Sequence, residues 1–281
     1  MTNKAIDQLA PRTISGAPKA TFRLSEHPTL ISLFSIAIVI LLWAIAPYAG
    51  WLNPLFFPTI PELLKAFSTL WQQGYLDVTL GQHIEASLYR VLAALFFALI
   101  TALPLGILMG LNKIAKAVVD PFIDFYRPIP PLAYLPLIVI WFGIGEVSKV
   151  LLIYLAIFAP LVIATSEAVR RVDRNRIQVV RCLGAGYGQV VRLVILPAIL
   201  PDIITGLRIA LGVGWSTLVA AELIAANQGL GFMVESAAQF LSTEVVVAGI
   251  IIIAFIALII EFGLRQVQKH FVSWSLHDAQ S

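Results

Sequence analysis

The stretch from Glu167 to Pro197 reads EAVRRVDRNRIQVVRCLGAGYGQVVRLVILP and decides how the rest of the chain is interpreted. It is polar, although it lies between two long apolar runs. A charge placed in hydrocarbon costs about 2.5–3.5 kcal/mol or more, so this stretch must lie in water. We therefore expect a structured loop between two membrane spans. Its six arginines are Arg170, Arg171, Arg174, Arg176, Arg181 and Arg192.

The composition of the whole chain indicates an integral membrane protein. Of the 281 residues, 59% are apolar and 12% are charged, whereas soluble domains carry about 25% charged residues. The net charge of +3 is small and reflects membrane topology rather than nucleic-acid binding. The single cysteine, Cys182, excludes a disulfide within the chain.

Hydropathy predicts an all-α membrane protein with six transmembrane helices, since a spanning helix needs about 20 apolar residues. The predicted spans are 29–48, 84–111, 132–144, 147–168, 201–221 and 245–264. The predicted domains are a cytoplasmic tail (1–28), a first transmembrane helix (29–48), a periplasmic segment with an interfacial helix (49–83), a core (84–264) with a cytoplasmic loop (169–200), and a cytoplasmic tail (265–281).

The distribution of lysine and arginine predicts the orientation. With a cytoplasmic N-terminus, fifteen of these residues fall on the cytoplasmic side, and only Lys65 and Lys149 fall on the other side. Arg90 and Arg208 fall inside spans. Both chain ends are therefore expected in the cytoplasm.

The periplasmic segment contains one amphipathic pattern. Leu63, Phe67, Leu70 and Trp71 recur on one helical face. Either this helix lies at the membrane interface with Trp71 as an aromatic anchor, or it packs on the transmembrane bundle.

A proline-rich run precedes the third span. In Arg127-Pro128-Ile129-Pro130-Pro131, three prolines remove three backbone donors and block regular helix. Such a break at membrane depth is tolerated only where protein or water surrounds it. The run marks either a bend beside a pathway or simply the entry to a helix.

Motifs for catalysis or metal binding are missing from the sequence. It contains no phosphate-binding loop, no CxxC or HExxH spacing and no GxSxG nucleophile elbow. We therefore do not expect an enzyme. Carboxylates such as Glu222 and Glu261 lie near span ends rather than in mid-span, where ion-coupled carriers place them. Energy for transport is expected from a partner protein.

The arginine-rich loop has its own local signals. Asp173 can cap a short helix over 174–183, and Gly184 can end it in the left-handed conformation. A second short helix is expected to about Leu193, and Leu196-Pro197 then opens the next span. Two short helices around a glycine would form a compact cytoplasmic knob.

These residues resemble the EAA loop of permease subunits of bacterial ATP-binding-cassette (ABC) importers. That pattern is EAA, three residues, Gly, nine residues, Ile, one residue, Leu-Pro. Gly184 takes the glycine place, Val194 the isoleucine place and Leu196-Pro197 the final pair. Gln178-Val179-Val180 replaces the EAA triplet, so its acidic contact is missing.

Other stretches resemble the taurine (aliphatic sulfonate) branch of the family. They are RPIPPLA at 127–133, WFGIGE at 141–146, and much of 205–233. The resemblance covers roughly 57–274. Permeases for nitrate and bicarbonate share much of this pattern.

The resemblance implies a type I ABC importer permease core in the inner membrane. Two copies would bind two cytoplasmic ATPase subunits and receive substrate from a periplasmic binding protein. ATP and Mg²⁺ would bind the ATPase, with no cofactor in this chain. Residues 185–193 would form the coupling helix, with Gly186 and Gly188 softening it. The implied coupling residues are Leu183, Gly184, Ala185, Tyr187, Val190, Val194, Leu196 and Pro197.

A candidate translocation path lies midway along the fifth span. Trp215, Ser216 and Thr217 follow small residues that leave room for a passage or for helix packing. Arg208 is expected to snorkel to the interface. The favoured function is a permease for taurine or a related small sulfonate. The alternatives are an ABC permease for nitrate, bicarbonate or another sulfonate, and a self-contained secondary transporter of a small anion.

Overall fold

The structure, a computed structural model, describes residues 28–47, 49–50, 53 and 56–271. Within these ranges every regular element is a helix. Of the predicted cytoplasmic tails, residues 1–27 and 272–281 lie outside the described residues, whereas 265–271 continue the last helix. Tyr48, 51–52 and 54–55 of the predicted first span and periplasmic segment also lie outside them.

The chain divides into two compact units, with the boundary after Leu52. The first contains α1 (Pro28–Ile45), an apolar helix where the first span was predicted. The second begins at Asn53 and contains all the other helices. These are α2 (Ile60–Gln72), α3 (Leu80–Leu111), α4 (Lys113–Tyr126), α5 (Pro131–Phe142), α6 (Glu146–Arg171), α7 (Arg174–Cys182), α8 (Tyr187–Val190), α9 (Leu196–Ala225), α10 (Leu230–Gln239) and α11 (Thr243–Phe271).

Four helical segments of the described chain are long and apolar enough to cross a membrane, or five if α4 and α5 form one broken span. The single segments are α3, α6, the continuous helix Tyr187–Leu223, and α11. α4 and α5 meet at 98° around the proline-rich run. The sequence prediction placed the stretch before this run in a cytoplasmic connection that carries Lys113, Lys116 and Arg127. In the structure it is the helix α4, in which Lys116 pairs with Asp120 at 2.7 Å. The proline-rich run is thus a sharp bend inside a candidate span.

Small residues determine the packing of the core, in which α6 lies between α3 and α9. On α3, Ala94, Ala98, Ala102, Gly106 and Gly110 recur every fourth residue, and the three alanines are fully buried. A Cβ added at Gly106 would lie 2.6 Å from Cβ of Thr165, and one at Gly110 would lie 2.5 Å from Cβ of Val169. The backbones of α3 and α6 therefore approach as closely as glycine allows.

The short helix α2 packs against α11. Its buried residues are Leu63, Ala66 and Leu70, whereas the Trp71 side chain is exposed. The helix therefore packs on the bundle, and the role of Trp71 as an interfacial anchor stays a prediction. At its N-terminus the Thr59 amide donates a hydrogen bond to Glu62 at 2.8 Å, and this bond lowers the pKa of the Glu62 carboxyl.

Candidate functional site

The first half of the arginine-rich loop folds as predicted. Asp173 caps α7 by accepting a hydrogen bond from the Asn175 amide at 2.9 Å. The helix ends at Cys182 and has no buried residue, so it stands on the surface of the protein.

Gly184 makes the turn that follows α7. Its φ is +88°, the left-handed conformation expected of a glycine that ends a helix. The Gly184 amide donates to Arg181 O at 2.9 Å, and the Ala185 amide donates to Val180 O at 3.2 Å. These two bonds form a Schellman motif. A Cβ at Gly184 would meet nothing within 4 Å, so only the backbone conformation demands glycine in this chain.

The second half of the loop differs from the sequence prediction. Instead of a separate helix ending near Leu193, α8 continues through a π-helical turn, Val191–Ile195, into α9. The Leu196 amide donates to Val191 O, five residues back, directly before Pro197. A proline has no amide hydrogen and clashes with the carbonyl four residues earlier, and the wider turn accommodates both effects.

Only one of the two glycines assigned to the coupling helix lies inside it. Gly186 is the N-cap of α8, with φ −73° and ψ 167°. Its amide donates to Gln189 Oε1 at 2.8 Å, which ties the first turn together. Gly188 alone lies within the helix, so α8 is softened less than the sequence suggested.

The predicted coupling residues divide into an exposed set and a buried set. Leu183 and Tyr187 are 83% and 58% exposed, while Val190 is 2% exposed and packs in a cluster with Ile195. Two large exposed apolar side chains beside arginines make a surface suited to docking another protein. Of the remainder, Ala185 and Val194 are half-buried, and Leu196 and Pro197 are exposed.

The predicted path residues on α9 point in different directions. Trp215 is half-buried in the groove between α9 and α11, and its Nε1 is buried with no hydrogen-bond partner among the described residues. Ser216 is exposed and Thr217 is buried. Their hydroxyls donate to Gly212 O at 3.1 Å and Val213 O at 2.9 Å, carbonyls of their own helix.

Arg208, which was expected to extend alone toward the membrane interface, instead has partners on α11. Its guanidinium pairs with Glu261 of α11 and donates to Gln268 Oε1 at 3.2 Å. Arg265 also donates to Glu261 at 2.9 Å. These contacts tie α9 to α11 near the end of α11 that carries Arg265.

At the end of the bundle opposite the arginine-rich loop, Arg90 is fully buried. Its Nε and Nη2 donate to the two carboxylate oxygens of Glu146, both at 2.7 Å. Its Nη1 donates to Glu222 Oε1 at 2.6 Å and to Gln228 O at 2.8 Å. We call Ser87, Arg90, Glu146, Glu222 and Gln228 the Arg90 cluster. It joins α3, α6 and α9.

The same buried groups hold the start of α10. Glu222 accepts hydrogen bonds from Ser87 Oγ at 2.7 Å and from the Gly231 amide at 2.7 Å. The Leu230 amide donates to Ser87 Oγ at 2.9 Å. Gly229 has φ +131°, and a Cβ there would lie 2.5 Å from Glu222 Oε1 and 2.6 Å from Arg90 Nη1. The site therefore has no room for any side chain at residue 229.

Comparison with known proteins identifies the family. The profile described as "Binding-protein-dependent transport system inner membrane component" matches residues 102–273. The chain belongs to this family and is the permease component of an ABC transport system.

Two relatives and one solved structure extend this assignment. The taurine transport system permease protein TauC of Escherichia coli K12 is 52% identical over 252 residues, covering 89% of this chain and 91% of TauC. The putative aliphatic sulfonates transport permease protein SsuC of Bacillus subtilis 168 is 35% identical over 94% of each chain. A chain of the inward-facing MetNI methionine ABC transporter matches with TM-score 0.61 at 20% identity, covering 69% of this chain and 96% of that one, and so shows the same fold.

Proposed function

We propose that this chain is the membrane subunit of an importer that carries taurine, or a closely related small sulfonate, across the bacterial inner membrane. The observation that carries the proposal is the 52% identity to a taurine permease over about nine-tenths of both chains. The likeness to an aliphatic sulfonate permease supports the same chemical class.

We propose six spans for this permease, with both ends in the cytoplasm. They are α1, α3, the bent pair α4–α5, α6, the continuous helix of α8 and α9, and α11. The broken span supports this count, because a bend with three prolines needs protein or water around it. The arginine-rich loop then faces the cytoplasm, and the Arg90 cluster faces the periplasm.

The proposed complex contains two copies of this chain in the bilayer, two ATPase subunits and a periplasmic binding protein. ATP and Mg²⁺ bind to the ATPase, and this chain carries no cofactor of its own. The coupling surface consists of the eight residues that the sequence implied: Leu183, Gly184, Ala185, Tyr187, Val190, Val194, Leu196 and Pro197. The exposed side chains of Leu183 and Tyr187 support docking in an ATPase cleft.

Uptake of labelled taurine by the reconstituted complex tests the substrate. We expect ATP-dependent uptake that requires the binding protein. Uptake of another sulfonate, nitrate or bicarbonate instead of taurine would overturn the substrate while leaving the mechanism intact. Uptake without the ATPase would favour a secondary transporter.

The coupling surface is tested by co-purification of the ATPase. Gly184→Val forces a β-branched residue into φ +88°, so we expect the ATPase to be lost from the purified permease. Gly263→Val is the control, since a Cβ there meets nothing within 4 Å. Equal ATPase recovery from both variants would contradict the proposed coupling role.

A further inference from the structure

The bend between α4 and α5 borders a cavity. None of the functional residues described above lines it. Its volume is about 510 Å³, and it is bounded by the bend, by α6 and by α9. Tyr126, Arg127 and Tyr134 come from the two sides of the bend, Glu167 from α6, and Val213 from α9.

The bend has few backbone donors to offer a ligand. Pro128, Pro130 and Pro131 have no amide hydrogen. The Ile129 amide donates to Tyr126 O at 3.0 Å. An anion in this cavity must therefore be bound by side chains.

Two side chains at the bend are free to bind an anion. The Tyr126 hydroxyl is buried and has no hydrogen-bond partner in the part of the chain that the structure describes. A buried hydroxyl left without a partner costs free energy, so a ligand that accepts its hydrogen is favoured. Arg127 forms no ion pair with any described residue. Glu167, the carboxylate on the same cavity, pairs instead with Arg171 at 3.4 Å.

We propose that this cavity is a binding site for the transported sulfonate, with Arg127 and Tyr126 donating hydrogen bonds to its oxygens. A sulfonate carries one negative charge on three acceptor oxygens, and the planar guanidinium can bind two of them at once. The remaining oxygen accepts from Tyr126. The site lies at the bend of a broken helix, beside α6 and α9. This inference rests on the proposed function, because it takes the substrate class from there.

The test uses the complete complex in vesicles and measures two rates, taurine uptake and ATP hydrolysis. For Arg127→Ala we expect uptake to fall on the order of tenfold while hydrolysis stays near wild type, since a charged hydrogen bond is lost from the bound substrate only. Arg127→Lys keeps the positive charge but loses the guanidinium that can bind two oxygens at once. It should retain more uptake than Arg127→Ala. Taurine moved per ATP hydrolysed is the deciding quantity, because a merely structural defect lowers both rates together.

Tyr126→Phe is the sharper variant, because it removes a hydroxyl that has no partner in the protein. We expect thermal stability equal to or above that of wild type, since a costly unpaired hydroxyl is removed, and a several-fold loss of uptake. Tyr154→Phe is the matched control, since that hydroxyl lies outside the cavity and contacts Thr101 Oγ1 at 3.1 Å. Its uptake should equal that of wild type.

The outcomes separate this inference from the proposed function. If the wild-type complex imports no taurine, the proposed function fails. If wild type imports taurine and both Arg127→Ala and Tyr126→Phe keep the normal ratio of taurine to ATP, the binding site is wrong. If the Arg127→Ala defect disappears in vesicles made only of phosphatidylcholine, the oxyanion bound there is an anionic lipid headgroup, and the inference is overturned.

Discussion

Glu222 shows most clearly how a buried charge is held in this protein. Its carboxylate is fully buried and accepts hydrogen bonds from Ser87, Arg90 and the Gly231 amide. Every donor around it matches a negative charge. Replacing it with an amide leaves Arg90 paired with Glu146 alone and leaves a buried donor around residue 222 without an acceptor.

We therefore expect Glu222→Gln to destabilise the permease by about 1–3 kcal/mol. The measurement is thermal unfolding in detergent, where the variant should unfold well below wild type. Glu235→Gln is the control, because among the described residues that carboxylate accepts only an exposed hydrogen bond from Gln239, at 3.2 Å. Equal unfolding temperatures for Glu222→Gln and wild type would show that the Arg90 cluster does not stabilise the fold.

The Arg90 cluster was not predicted from sequence motifs, although the sequence contains one signal for it. Arg90 lies inside an apolar span, and a cation there needs a partner. Glu146 and Glu222 lie at the ends of two other spans that the predicted topology places on the same side. Which carboxylates meet Arg90 depends on how the helices pack, and one sequence does not determine that.

At the scale of helices, glycines bring α3 and α6 into close contact. We expect Gly106→Val to cost about 1–3 kcal/mol or more, because the new side chain would overlap Thr165. A lower unfolding temperature and a smaller yield of folded protein would show this. Gly263→Ala lies on α11 with nothing near an added Cβ, so it should be tolerated. Wild-type stability of Gly106→Val would mean that the helices separate easily.

The short helix α8 gives a second prediction at this scale, namely that it frays in the isolated permease and becomes firm when the ATPase docks. Gly188→Ala should slow hydrogen exchange of Tyr187–Val190 in the isolated chain by up to about fivefold, since glycine costs about 0.8–1 kcal/mol inside a helix. Gly186→Ala is the matched control and should not slow exchange, because alanine is a poorer N-cap than glycine. Equal exchange of wild type with and without the ATPase would refute the fraying.

Local chemistry explains which elements could be predicted. The cap at Asp173, the end of α7 and the turn at Gly184 depend on a few neighbouring residues, and the structure confirms them. The helix α4 and the π-helical turn Val191–Ile195 were missed. The Asn112 cap of α4 is a local signal that the sequence prediction passed over. The π-helical turn lets the helix continue past Pro197, where sequence rules predict a new helix start.

At the scale of the whole molecule, Cys182 reports the orientation. It is the only cysteine in the sequence and is exposed on α7. We expect a membrane-impermeant maleimide to label it in inside-out vesicles and not in intact spheroplasts. In a Cys182→Ser background, Ser242→Cys, placed between α10 and α11, should label only from the outside. The reverse pattern would invert the proposed topology.

The helix from Tyr187 to Leu223 is continuous over 37 residues, a length of roughly 55 Å at 1.5 Å per residue. Tyr187 stands exposed at one end, and Glu222 is fixed in the Arg90 cluster at the other. In the proposed transporter this one helix connects the ATPase contact directly with the periplasmic face. A displacement of Tyr187 is transmitted to Glu222 along this helix. The five-residue π-helical turn is its most flexible part. Making that turn more rigid should therefore change how much of the ATP-driven movement is transmitted to the periplasmic end of the helix.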